Sequence, residues 1–378
     1  MSVMQGTDRY SQLGVRPVIN ACATLTRLGG SIMPPEVIAA MQDASRCFVD
    51  LDELQRRVGE RIAELTRNEA AYVATGAAAG LVLATAACTA GPDPDLRNCF
   101  PKVGGGKNQV VMQSLHRNAY DYAVRQTGVT VVEVGDEDGA STKDLERAIN
   151  EHTAAVFWYH GAMNRPTEVP FADVVSIAGA ASVPVIVDAA AQLPPVENLW
   201  RFTQEGASLV LFSGGKDLRG PQCSGLVLGR RELIEAIRVH GSPNHAIGRP
   251  MKVGKEEMMG CLAAVERYVH LNHEARSAAF EETVAFWNEG LAALPGIETR
   301  RDFPNEAGQP VPWTLVTFAD AARRDAVVKA LRDGEPAIAV APAGERAIHL
   351  NPMTLYAEGE QQIVLERFVQ VVTELGEA

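Results

Sequence analysis

The sequence predicts an α/β fold, with a large, mostly parallel sheet domain followed by a smaller C-terminal α+β domain. Three observations carry this expectation. Between about residues 70 and 230, short apolar runs alternate with amphipathic segments. These runs are apolar throughout rather than at every second position, the pattern of strands covered by helices on both faces. Beyond Gly254 the alternation gives way to a long stretch with few helix breakers.

Residues 1–55, which include Val18-Ile19-Asn20-Ala21 and Thr24-Leu25-Thr26-Arg27-Leu28-Gly29-Gly30-Ser31, read as an ordered N-terminal arm. A large domain is expected over 56–253. Its strands are read over 109–112, 129–134, 154–159, 183–187, 208–212 and 225–228. Helices fall between them, over 142–150, where Leu145, Ala148 and Ile149 share one face, and over 171–181. The small domain is expected over 254–378. It should open with one or two helices across 255–293, continue with strands over 313–318, 338–340 and 347–350 and a helix over 321–331, and close with a helix over 360–375.

Bulk properties exclude several classes. A chain of 378 residues, 46% hydrophobic and 22% charged, is ordinary globular usage and long enough for two domains. The formal charge of 35 − 47 = −12 argues against non-specific binding to nucleic acid or an anionic membrane. The six cysteines form no C-x-x-C pair and no cluster with histidine, so no metal site is expected and the thiols read as free in a reducing cytoplasm. No signal peptide is expected at the N-terminus, and the apolar stretches are broken before membrane-spanning length.

In such a sheet, ligands sit beyond the carboxyl ends of the strands. Lys216 lies there, in Ser213-Gly214-Gly215-Lys216-Asp217 after the run 207–212. An amine on a tight glycine turn is placed to be desolvated and to attack an aldehyde. Asp188, at the end of Val185-Ile186-Val187, is 216 − 188 = 28 residues upstream. A carboxylate and a lysine are the two groups that pyridoxal 5'-phosphate (PLP) needs, one for its ring nitrogen and one for its aldehyde. A structural ion pair is the plainer account of the same two residues.

Thr75-Gly76-Ala77-Ala78-Ala79-Gly80 opens a helix whose first N–H groups are free to bind phosphate, or it is the start of a close-packed alanine helix. Ser213 adds a hydroxyl for phosphate, or is a turn serine. His116 follows the strand at 109–112, where an imidazole can lie over a cofactor ring and carry protons, or simply pack. His160, at the end of another strand, is a second candidate for contact with cofactor or substrate. The P-loop, dinucleotide, zinc-protease and serine-hydrolase motifs are absent.

The order of phosphate helix, histidine, strand-end Asp and Ser-x-x-Lys resembles fold-type I PLP enzymes, the aspartate aminotransferase superfamily. More narrowly, S-G-G-K-D-L-R-G-P-Q at 213–222, the arm at 18–31 and G-R-P-M-K-V-G-K-E-E at 248–257 resemble the selenocysteine synthase (L-seryl-tRNA selenium transferase)-like family. Within it, the small-molecule branch of D-glucosaminate-6-phosphate ammonia-lyase is the nearer match. The resemblance covers nearly the whole chain, and the lysine block is its most specific part.

The resemblance implies that Lys216 forms the internal aldimine with PLP and is the acid/base at the substrate Cα, giving a quinonoid. Asp188 then holds the ring nitrogen, Gly76, Ala77, Ala78 and Ser213 the phosphate, and Ala190 lies beneath the ring with His116 over it. Arg27 and Arg249 become candidates for an anionic group of the substrate, against an ion-pairing role for each. Sites shared between the subunits of a homo-oligomer are implied too, with Arg27 completing a neighbour's site. The arm begins within twenty residues of Met1, without the tRNA-binding region of selenocysteine synthase, so tRNA is not the expected substrate. The expected activity is a PLP-dependent lyase on a small hydroxy amino acid or amino sugar acid. A racemase or epimerase, an aldolase or aminotransferase, and a PLP-binding regulatory protein are the alternatives.

Overall fold

The computed structural model describes residues 8–376. The segment expected to lack a signal peptide lies partly outside them, at 1–7. Contacts divide the chain into two units, residues 33–271 and residues 1–32 joined by 272–378. The N-terminal segment carries α1 (Asp8–Gln12) and β1 (Val18–Asn20).

The large unit opens with α2 (Pro35–Ala44), α3 (Leu51–Leu65), β2 (Ala70–Ala74), α4 (Gly76–Ala90) and α5 (Pro94–Arg97). It continues with β3 (Gln109–Gln113), α6 (Tyr122–Arg125), β4 (Thr130–Val134), α7 (Thr142–Ala148), β5 (Thr153–Tyr159) and α8 (Phe171–Ala180). It closes with β6 (Val185–Asp188), α9 (Asn198–Gln204), β7 (Leu209–Ser213), β8 (Gly225–Gly229), α10 (Arg231–His240) and α11 (Lys255–Val269). The seven strands form one sheet in the order β2-β8-β7-β6-β5-β3-β4, with β8 antiparallel to both neighbours and the other pairs parallel.

Strand pleating sends successive side chains to opposite faces, and both faces are apolar here. Val111, Val156, Val187, Val210 and Phe212 pack with α8, α9 and α11. Met112, Phe157, Ile186, Leu211 and Val227 pack with α4 and α10. Helix α4 lies so close that a Cβ at Gly80 would come within 2.8 Å of Leu211 and 3.0 Å of Val227. Its run of small residues is therefore a packing requirement.

Strand β2 is at the sheet edge and was not foreseen, because Ala70-Ala71-Tyr72-Val73-Ala74 is rich in a poor strand former. Its free edge is closed by Gln55 of α3, whose amide donates to the Val73 carbonyl at 2.7 Å and accepts from the Val73 N–H at 3.0 Å.

The other unit contains α12 (His273–Leu291), β9 (Ile297–Asp302), β10 (Trp313–Phe318), α13 (Ala321–Asp333), β11 (Ala337–Ala339), β12 (Ala341–Ala343), β13 (Ala347–Leu350) and α14 (Glu360–Gly376). An antiparallel sheet in the order β12-β13-β10-β9 buries Val316, Phe318, Ile348 and Leu350 with α12, α13 and α14. Strand β1 pairs with β11, so the stretch of the expected arm up to Ile32 belongs to this unit, whereas its remainder, 33–55, falls in the large unit. The contact division differs from the boundary read at 254, since α11 packs on α2 and α3 of the large unit. Two helices occupy 255–293, separated where the Asn272 side chain accepts from the Ala275 N–H and starts α12.

Candidate active site

The site is built on the carboxyl ends of β5, β6 and β7. Asp188 ends β6, opposite Tyr159 of β5, and is 3% exposed. Its Oδ1 accepts from the Ala190 N–H at 3.0 Å, and the Ala190 carbonyl accepts from the Ser213 N–H at 3.2 Å. Ala190 thus ties the tip of β6 to the tip of β7. By strand alternation Tyr159, Asp188 and Ser213 all fall on the face covered by α4.

Lys216 sits on the turn that follows β7. The glycines before it are required by a close approach. A Cβ at Gly214 would lie 2.0 Å from Ser224 Oγ, and one at Gly215 would lie 2.5 Å from Gln222 Cα. The returning chain closes the turn, with Gly214 N–H donating to Ser224 O at 2.9 Å, Gly220 N–H to Gly214 O at 2.8 Å and Arg219 N–H to Lys216 O at 2.9 Å. Next to the lysine, buried Asp217 accepts a 2.6 Å hydrogen bond from the buried Tyr268 hydroxyl of α11. The turn is fixed from both sides.

Burial pushes the Lys216 amine below its ordinary value, opposed by the charge of Asp188. The same cause pushes the Asp188 carboxyl up, against the Ala190 hydrogen bond and the charge of Lys216. Each group therefore feels the other in a desolvated place, which favours a neutral, nucleophilic amine.

Helix α4 begins beside the sheet with Gly76 at φ +80°, and Thr75 makes no side-chain cap. Its first turn of N–H groups is not closed by a side chain, leaving them for an anion. Gly76 and Ala77 are half-buried and Ala78 is exposed, whereas residues 79–90 are buried. Close packing accounts for residues 79–90, while the first turn at 76–78 is left open. A Cβ on Gly225 of β8 would lie 2.3 Å from the Gly76 backbone, so a bare strand start lets the helix end sit close to the sheet.

The two histidines are placed differently from expectation. His116 has 0% exposure; its Nδ1 accepts from the Tyr159 N–H at 3.3 Å, and Nε2 lies 3.0 Å from Glu168 Oε2. Its ring stands edge-on to Trp158, with centroids 4.6 Å apart. Nδ1 as acceptor places the proton on Nε2, donating to Glu168. Burial raises Glu168, but hydrogen bonds from His116, the Arg165 N–H and Asn164 outweigh it and hold the carboxyl below its ordinary value. Both nitrogens of His116 are committed, so the geometry supports a positioning role for it.

His160 continues the ladder by donating its N–H to Asp188 O at 3.0 Å, but its ring lies against Phe202 of α9 with centroids 4.9 Å apart. Burial and then the charge of Arg201 lower it to about 4. It is a neutral packing group on the side away from α4.

Arg249 lies half-buried in the loop between Gly241 and Gly254 and makes no ion pair or side-chain hydrogen bond among the described residues. Arg27 belongs to the other unit, exposed on the turn Thr26–Leu28, where its charge opposes the burial that pushes the Cys22 thiol up to about 12. Tyr159 was not foreseen. Burial, then the charges of Asp188 and Tyr120, raises its phenol, which makes it a hydroxyl donor on the Asp188 face. The signal for it lay in its two-residue spacing from Phe157, whose side chain is on the α4 side.

No group of side chains suited to a metal occurs among the described residues, and none of their helices is long and apolar enough to cross a membrane.

The family model described as L-seryl-tRNA selenium transferase matches residues 121–284. The chain is 36% identical to 5'-C-glycyluridine monooxygenase-decarboxylase of a Streptomyces species over 374 residues, covering 95% of this chain and 90% of that protein. It is 34% identical to D-glucosaminate-6-phosphate ammonia lyase of Salmonella typhimurium over 378 residues, covering 96% and 97%. A solved structure of D-glucosaminate-6-phosphate ammonia-lyase superposes with a TM-score of 0.85 at 32% identity, covering 98% of this chain and 99% of that one. Sphingomonas wittichii serine palmitoyltransferase, at 13% identity and a TM-score of 0.62 over 100% of this chain and 99% of that one, shares the fold.

Proposed function

Because the chain belongs to the L-seryl-tRNA selenium transferase-like family of fold-type I PLP enzymes, we propose that it is a PLP-dependent lyase. It takes a small hydroxy amino acid or amino sugar acid and releases ammonia and a 2-oxo acid. The observation that carries this reading is the pairing of a buried carboxyl, Asp188, with a desolvated amine, Lys216, at adjoining strand ends beside the uncapped start of α4.

Those residues fit the cofactor. Gly76, Ala77, Ala78 and Ser213 offer donors for its phosphate, Asp188 an acceptor for its ring nitrogen, and Lys216 an amine for its aldehyde carbon. Ala190, tied to both Asp188 and Ser213, would leave room for the ring with its small side chain. Bound there, PLP supplies an electron sink for negative charge at the substrate Cα.

Lys216 accepts the proton from Cα, a role that burial favours by lowering the amine's proton affinity. The Cβ–O bond then breaks, and its hydroxyl takes a proton and leaves as water. A second water replaces nitrogen at Cα, so ammonia and the 2-oxo acid are the net products. Arg249 is assigned to the substrate's carboxylate, and Arg27 to a neighbouring subunit's site in a homo-oligomer. Self-association is supported by exposed apolar side chains on the α2–α3 segment, Ile38, Val49, Leu51 and Phe48, the last 103% exposed. The proposed location is the cytoplasm, in keeping with six unpaired cysteines.

Product analysis over a panel of 2-amino-3-hydroxy acids tests the reading. Ammonia and 2-oxo acid are expected in equal amounts, with turnover falling by roughly 10³-fold in Lys216→Ala. A second reading, an oxygen-consuming decarboxylation, rests on the similarity to the Streptomyces protein. Uptake of oxygen with release of carbon dioxide in the same assay would replace the lyase by that reaction.

A further inference from the structure

The large unit holds a cavity at the sheet edge, beside β2. Among its lining residues are Arg56 of α3, Arg97 of α5, Arg238 of α10, Tyr72 of β2 and Ser242, and Asp52 is the one carboxylate. Arg56 and Arg97 make no ion pair or side-chain hydrogen bond among the described residues, and Arg97 Nε is buried without a partner. Arg238 has a partner, Glu235, with Nε 3.3 Å from Oε1. The Tyr72 hydroxyl, in a side chain 3% exposed, is pushed up to about 12 by burial and so stays protonated as a donor. Gln55, which also lines the cavity, engages Val73 with its amide and hydrogen-bonds the Tyr72 hydroxyl as well.

A buried guanidinium nitrogen without an acceptor carries a desolvation cost that a bound anion removes. Three guanidinium groups, a phenol and a hydroxyl offer more donors than the two oxygens of a carboxylate accept, and suit the three or four oxygens of a tetrahedral anion. Asp52 and Glu235 leave the surroundings net positive. We propose that this cavity binds a phosphate group, carried on a phosphomonoester or free as inorganic phosphate. The inference does not depend on the lyase reading, because none of these residues is placed at the strand ends.

The test uses the holoenzyme, so that the start of α4 is already filled with PLP. Inorganic phosphate and, separately, glucose 6-phosphate are titrated calorimetrically at fixed ionic strength, with chloride and glucose as controls. Saturable phosphate binding is expected, weakened roughly tenfold or more in Arg97→Gln and in Arg56→Gln, with melting temperatures unchanged. Tighter binding of glucose 6-phosphate than of phosphate would assign the site to phosphomonoesters, and equal affinity would assign it to the free anion. No heat above the chloride control, or equal affinity in wild type and both variants, overturns the proposal.

Discussion

The two faces of the central sheet reach the same edge carrying opposite chemistry. On the α4 side the strand ends present Tyr159, Asp188 and Ser213, with a desolvated amine on the adjoining turn. On the other side the neighbouring positions present Trp158 and a neutral His160, closed by aromatic packing that includes Phe202 of α9. Single-residue steps along a strand separate the two, Tyr159 from His160 and Val187 from Asp188. A polar residue at a strand end is therefore a site candidate only on the face with an open helix start.

The comparison breaks first at Asp188. Asp188→Asn keeps an acceptor for the Ala190 N–H, so the fold should persist while the charge is lost. Turnover is expected to fall by about 10²-fold with melting nearly unchanged. Normal turnover in this variant would remove the carboxylate from the chemistry.

His116 is the next test, because sequence placed it over the cofactor and the structure places it against Trp158. His116→Ala strands the Glu168 carboxylate, and a loss of about 2–4 kcal/mol in urea unfolding is expected, with the PLP absorbance retained. Unchanged stability with a lost or shifted cofactor spectrum would return His116 to the α4 side.

The smallest effect belongs to His160. Its folded value of about 4 lies below the ordinary 6.5, so between those pH values the unfolded chain takes a proton that the folded chain refuses. Stability therefore rises with pH across that window and is lost as pH falls through it. His160→Gln should flatten the slope by less than one proton, since His349, also lowered to about 4 by burial, keeps its own share. A slope identical to wild type would show that the ring is solvated.

Much of this was legible in advance because buried parallel strands are written as unbroken apolar runs. The runs predicted at 208–212 and 313–318 appear as Leu209–Ser213 and Trp313–Phe318, and Asp188 and Lys216 were read as site candidates from where such runs stop. Strands β1, β2, β9 and β12 escaped, and for two of them the physical reason is plain. In Ala70–Ala74 the edge is satisfied by the Gln55 side chain instead of by strand-forming residues. Ile297–Asp302 reads as a charged segment, because only one of its faces is covered. The face on which each strand-end residue lies was not legible either. It depends on register, which sets His116 against Trp158, His160 against Phe202 and Tyr159 on the α4 side. The Asp217–Tyr268 hydrogen bond joins residues 51 apart, and no local pattern announces it.

The central claim is that the amine on the glycine turn holds the cofactor. Borohydride reduction of the PLP-loaded protein, followed by digestion and mass spectrometry, locates the trapped pyridoxyl group on a single peptide. The structure predicts it on Lys216, in the segment containing Gly214 and Gly215. A pyridoxyl group on any other lysine, or none at all, would contradict it.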